Sequence, residues 1–159
     1  RPRHSQWQQV SLNALVEETL VLVQTAGVQA RVDFISELDN ELSPINADRE
    51  LLKQVLLNIL INAVQAISAR GKIRIQTWQY SDSQQAISIE DNGCGIDLSL
   101  QKKIFDPFFT TKASGTGLGL ALSQRIINAH QVIFASPVCR ATAQPSRLFY
   151  RSTQGNQTV

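Results

Sequence analysis

Asn58 and Asn62 stand four residues apart in LLNILINAVQAI (56–67), a stretch otherwise apolar enough to be buried. Four residues is about one helical turn, so both amides share a face. A buried amide without partners costs a few kcal/mol, so this face needs polar company. Further along, DNGCGID puts Asp91 at the end of an apolar strand, before a flexible turn. A carboxylate there can accept a hydrogen bond from an amino group such as that of an adenine, and Gly93 and Gly95 allow close backbone approach to a flat ligand. An Asp-Asn-Gly stretch by itself is more commonly just a turn. SGTGLGL opens a helix, and glycine-rich turns at helix N-termini expose N–H groups that suit phosphates. It is neither a Walker A loop, since no Lys follows its last Gly, nor a dinucleotide fingerprint after a strand. IFDPFFTTK sets three phenylalanines beside a proline and ends in Lys112, a cation for phosphate or one more solvated lysine.

The elements that must position these residues follow from periodicity. Ser11 is the N-cap of a helix carrying Leu12, Leu15, Val16, Thr19, Leu20 and Val23, with Gly27 as its stop. ARVDFISEL alternates and predicts a strand. NELSPINA predicts a turn, and Asp48 caps the next helix, which carries Leu51, Leu52, Val55, Leu56, Ile59, Leu60, Ala63 and Ile67 and stops at Gly71. KIRIQTWQY (72–80) and AISIED (86–91) alternate and predict a hairpin. The segment after Asp91 is too irregular for a core element and reads as a functional loop. LGLALSQRIINAH is a final amphipathic helix, with His130 expected at the surface. Helices with antiparallel strands in this mix predict an α+β fold, a two-layer α/β sandwich with helices on one face of a sheet.

Composition bounds the function without naming it. The chain has 159 residues, 43% hydrophobic and 18% charged, with a formal charge of +2. That describes one globular domain with a real core and gives no argument for nucleic acid or membrane as partner. No apolar run approaches the roughly 20 residues of a membrane span, and no signal-peptide pattern is present. The two cysteines, Cys94 and Cys139, lack metal-ligand spacing and read as reduced cytosolic thiols. Two histidines, His4 and His130, exclude a His-rich metal site. Residues 1–10 are polar and read as a linker from a missing domain, and the whole reads as a piece of a longer protein.

The order of the motifs is more specific than any one of them. An Asn-bearing helix, Asp-x-Gly-x-Gly, a Phe-rich loop and Gly-x-Gly-x-Gly resemble the catalytic, ATP-binding domain of bacterial sensor histidine kinases in the GHKL superfamily, most like the nitrogen-regulator type. QVLLNILINAVQAI resembles the N box, DNGCGI the G1 box, IFDPFFTTK the F box and GTGLGLALSQRII the G2 box. The resemblance spans roughly residues 10–130, with 11–130 as the ATP-binding catalytic domain. It implies the Bergerat-type fold, a mixed sheet covered by helices, with nucleotide held between helices and a lid.

Residue by residue, the resemblance implies that Asn62 coordinates Mg²⁺ on the ATP phosphates, for which an amide oxygen is a suitable hard ligand. Asn58 faces the phosphates or a metal-bound water, and Asp91 binds the adenine amino group. Gly93 and Gly95 pass beside the base. Gly115, Thr116, Gly117, Leu118 and Gly119 bring the hinge and helix start to the phosphates. Phe105, Phe108 and Phe109 anchor the lid. Lys103, Lys112 and Arg125 are all candidates for phosphate charge, with Lys112 taken with Asn58 as catalytic. Hydrolysing relatives carry a glutamate where Asn58 stands, and an amide is a poor general base. The resemblance therefore implies phosphoryl transfer from ATP to a histidine rather than to water. The phosphoacceptor motif, of the form H-E-x-x-N-P, is absent; His4 does not match it. Autophosphorylation in cis is not expected. Dimerisation helices of the same kinase and a response regulator are the implied partners, in a homodimeric, membrane-linked parent whose catalytic part is cytoplasmic, at the inner membrane. A GHKL-type ATPase and a non-catalytic nucleotide-sensing module are the alternative readings.

After IINAH the family pattern breaks. QVIFASPVCRATAQPSRLFYRST lacks the paired glycines and the L-P ending, and contains Pro137 and Pro145. Codons allowed for VIFASPVCRATAQPSRLFYRS, read from the third base of the first, can encode DIRVASLSGNGATFTLILPI, which has both features. Residues from about 131 to 159 are therefore expected to be out of frame, by a natural, cloning or sequence-record error. A genuine tail of this sequence is expected to lose the last two strands of the sheet.

Overall fold

The computed structural model describes residues 6–28, 31–97, 99–100, 103–113, 115–130, 132–136 and 148–149. The chain enters as strand β1 (Trp7–Val10), which pairs antiparallel with β3 (Ile45–Asp48) in a small two-stranded sheet. The polar segment expected as a linker thus ends in a strand: alternation is weak in WQQV, but β3 offers it a free edge. β3 likewise occupies the end of the expected NELSPINA turn. Helix α1 (Leu12–Val23) follows, with Ser11 Oγ accepting from Ala14 N–H at 3.3 Å as its cap. Its buried residues are the six that the spacing predicts. Buried Thr19 is satisfied by donating to Leu15 O at 2.6 Å. The helix does not stop at Gly27; it loosens after Val23 into a π-helical turn, Gln24–Val28.

The main sheet has five strands: β2 (Val32–Leu38), β4 (Gly71–Ser81), β5 (Gln84–Asp91), β6 (Val132–Ser136) and β7 (Leu148–Phe149), in the order β2-β4-β5-β6-β7. β4 and β5 form the expected antiparallel hairpin, while β2–β4 and β5–β6 run parallel, so the sheet is mixed. Helix α2 (Arg49–Ala66) and helix α3 (Gly119–Ala129) complete the fold. Asp48 caps α2 as expected, its Oδ1 accepting from Leu51 N–H at 3.1 Å.

One face of the sheet carries Ile73, Ile75, Ile87, Ile89, Val132 and Phe134 into a core shared with α1, α2 and Ile126 of α3. The parity of these positions is the period of two of a strand. The expected loss of both terminal strands does not occur: β6 forms from VIFAS and pairs with β5. Strand pairing is a backbone interaction, and β-branched and aromatic side chains suit it whatever their origin. The remainder of the atypical tail, apart from β7, lies outside the described residues.

Candidate functional site

Asp91 is the last residue of β5 and pairs with Ile73. It therefore shares the parity of Ile87 and Ile89, on the face toward the helices. Burial pushes its carboxyl above the ordinary value, while the Gly93 N–H, donating to Oδ1 at 2.9 Å, pulls the other way. After Asp91 the chain grazes the end of α2. Cys94 N–H donates to Ala66 O at 3.0 Å, satisfying a carbonyl that the helix leaves open. A Cβ on Gly93 would run into that same carbonyl, so only glycine passes here. Gly95 follows with φ +73°, a left-handed conformation that favours glycine.

Asn58 and Asn62 are half-buried on α2, and neither is an unpaired amide. Asn58 Nδ2 donates to Ser123 Oγ of α3 at 3.0 Å. α3 comes this close because its first residue is Gly119; a Cβ there would lie 2.5 Å from Asn58 Oδ1. Asn62 Oδ1 accepts from Lys112 Nζ at 2.9 Å, and Gln65 Oε1 accepts from the same ammonium. Burial pushes the Lys112 ammonium down from its ordinary value, with Cys94 acting in the opposite sense. Of the three basic candidates, the structure brings Lys112 to the amides. Lys103 is exposed in the loop and Arg125 is exposed on α3.

The loop before α3 is folded back on itself. Phe108 N–H donates to Gly117 O at 3.0 Å, Phe108 adopts φ +68°, and Gly117 adopts φ +67° against the Phe108 backbone. Phe105 and Phe109 are half-buried, as anchors should be, but Phe108 is 74% exposed. Its strained backbone turns the ring outward, so it does not anchor the loop in this structure. Thr116 and Leu118 are exposed. α3 starts without a side-chain cap, which leaves its first N–H groups available to a ligand.

Sequence reasoning missed two features. Gln65 shares Lys112 with Asn62, yet a glutamine on an exposed helix position carries no signal. His130 is buried rather than at the surface. Its Nε2 accepts from Asp48 N–H at 3.1 Å, so the proton sits on Nδ1, which faces Ile126 O at 2.6 Å. Its ring stacks on Trp7, centroids 4.8 Å apart. This contact joins β1, the start of α2 and the end of α3, a juxtaposition that no local pattern encodes.

A cation already resting on Asn62 Oδ1 shows that this oxygen is a cation acceptor, and the glycines at 93 and 119 let β5's exit and α3 pass close against Ala66 O and Asn58 of α2. These residues fit a nucleotide with its metal. Residues 47–158 match the family model described as histidine kinase-, DNA gyrase B-, and HSP90-like ATPase. The chain is 86% identical over 162 residues to the signal transduction histidine-protein kinase AtoS of Escherichia coli (strain K12), covering 100% of this chain and 26% of that protein. It is 38% identical over 130 residues to the sensor histidine kinase ZraS of Klebsiella oxytoca, covering 82% of this chain and 28% of that one. It thus spans about a quarter of the length of these relatives. Among solved structures, the catalytic domain of histidine kinase ThkA superposes with a TM-score of 0.71 at 39% identity, over 78% of this chain and 81% of that one. ThkA in complex with response regulator protein TrrA matches with a TM-score of 0.67 at 33% identity, over 81% and 36%. The chain belongs to the histidine kinase-, DNA gyrase B- and HSP90-like ATPase family, and is similar in sequence and fold to the catalytic segments of histidine kinases.

Proposed function

We propose that this segment binds ATP with Mg²⁺ and presents the γ-phosphoryl group to a histidine on a separate domain of its parent kinase. The observation that carries this is the α2 amide face. Asn58 stands where a hydrolase needs a base, and it is pinned by Ser123 rather than free to poll water. Phosphoryl transfer needs positioning and charge neutralisation more than covalent chemistry by the protein. Asn62 would hold the metal, which supplies charge neutralisation on the phosphates when bound. Asp91 would accept from the adenine amino group, with Gly93 and Gly95 beside the base. Gly115, Thr116, Gly117, Leu118 and Gly119 would bring the hinge and the start of α3 to the phosphates, and Lys112 would supply positive charge there.

The phosphoacceptor and dimerisation helices of the same kinase are the direct partners in this reading, with a response regulator served by the whole protein, a homodimer at the inner membrane. Two relatives named histidine kinases and the ThkA–TrrA complex support it. Among the described residues, no helix is long and apolar enough to cross a membrane.

The test uses ATP labelled at the γ-phosphate. Mixed with a protein carrying the phosphoacceptor helices, the chain should label a histidine and release little inorganic phosphate. Asn58→Glu should raise phosphate release by roughly a hundredfold, the scale of a positioned general base. Fast hydrolysis by the unmodified chain, with no phosphohistidine, would instead establish an ATPase. Binding without either product would establish a nucleotide sensor.

A further inference from the structure

The pocket face of α2 offers oxygen atoms but no charge. Asn58, Asn62 and Gln65 follow one another at spacings that keep them on one side of the helix, and all three are neutral amides. The charge that Asn62 and Gln65 receive comes from about fifty positions away in the chain, where Lys112 Nζ donates to Asn62 Oδ1 at 2.9 Å and to Gln65 Oε1. The turn carrying Lys112 is built to hold it. Lys112 N–H donates to Thr110 Oγ1 at 3.1 Å, and Gly115 N–H donates to Lys112 O at 3.2 Å. A Cβ on Gly115 would press on Thr110 Oγ1, so a larger residue there would have to displace the threonine hydroxyl that holds Lys112 N–H.

We infer that Lys112 is the resident cation of this amide face, and that it trades the Asn62 and Gln65 oxygens for the terminal phosphate of ATP, so that it sets the preference for ATP over ADP. This rests on the nucleotide reading of the site. An ammonium and a metal ion on one amide oxygen repel each other, so a nucleotide that arrives with Mg²⁺ displaces Lys112. That loss is the same for ATP and ADP. The gain is not: a freed ammonium on a flexible four-carbon stem finds a charged acceptor at a third phosphate and only water when the third phosphate is missing. Lys112 is then a competitor of ADP and a partner of ATP.

The test is equilibrium titration of the purified chain with ATP and with ADP, each with Mg²⁺, for the unmodified protein, Lys112→Met and Gln65→Leu. In Lys112→Met, ATP should bind about tenfold more weakly, the scale of one charge-assisted hydrogen bond, while ADP binds equally or more tightly. The ATP-to-ADP preference therefore collapses. Gln65→Leu removes one resting partner of the lysine, so both nucleotides should bind a few-fold more tightly with their ratio unchanged. Equal weakening of ATP and ADP in Lys112→Met, or no tightening in Gln65→Leu, overturns the exchange. Failure of the unmodified chain to bind either nucleotide overturns the nucleotide reading itself.

Discussion

In the proposed site, Asp91 would pull folding and binding in opposite directions. Its folded carboxyl holds a proton to higher pH than the unfolded one, because burial disfavours the charge. Stability from this group is therefore complete below the unfolded value and is lost as pH rises through the folded one. The proposed adenine contact needs the opposite, an ionised acceptor for the adenine amino group. Asp91→Asn should therefore raise the melting temperature of the ligand-free chain at neutral pH, read by calorimetry. It should also weaken ATP by about 1.5–3 kcal/mol, the scale of a hydrogen bond to a charged group. In the unmodified chain, affinity should fall as pH drops through the raised Asp91 value, and Asp91→Asn should flatten that profile. An unchanged profile would remove Asp91 from the adenine site.

Between elements, the α2–α3 contact decides whether the amide face works. Ser123 holds Asn58, and Gly119 makes room for both. Gly119→Ala gains helix propensity, worth up to about 1 kcal/mol in a helix interior. Its Cβ would nevertheless push on Asn58 Oδ1, so α3 must shift or Asn58 must turn. The expected result is a melting temperature within a few degrees of the original, with ATP affinity several-fold lower by titration. At the other end of α3, His130 and Trp7 tie β1 to both helices through Asp48. Local pattern identified the helices because each buries one stripe of side chains. It missed β1 and the burial of His130 because both depend on partners about 40 and 80 residues away.

Across the whole molecule, β6 seals the edge of β5. Val132 is 2% exposed and Phe134 7% exposed, and burying each contributes about 1.5–3 kcal/mol. A chain ended after His130 should therefore melt many degrees lower and aggregate, since β5 would present an open edge; equal stability would show that the tail contributes nothing. We propose that residues from about 131 are nonetheless out of frame relative to the parental gene, with the aliphatic and aromatic start of the shifted segment serving as a strand by its composition. Intact mass spectrometry checks this: a mass fitting the in-frame string would show that the protein itself carries the regular ending.

Much of the candidate site was legible in the chain alone. Asn58, Asn62, Asp91 and the glycine clusters stand out because polar and glycine residues are out of place on apolar elements, and their order along the chain resembles one family. The capping of α1 and α2, the hairpin and the α+β class follow from local spacing for the same reason: hydrogen-bond and burial periods are short-range. Tertiary structure decided which cation meets the amides, that Gln65 shares it, that Phe108 faces outward, and that His130 is a buried joint. Those depend on where loops return to the helices, and a loop's path is set by packing against distant elements rather than by its own sequence.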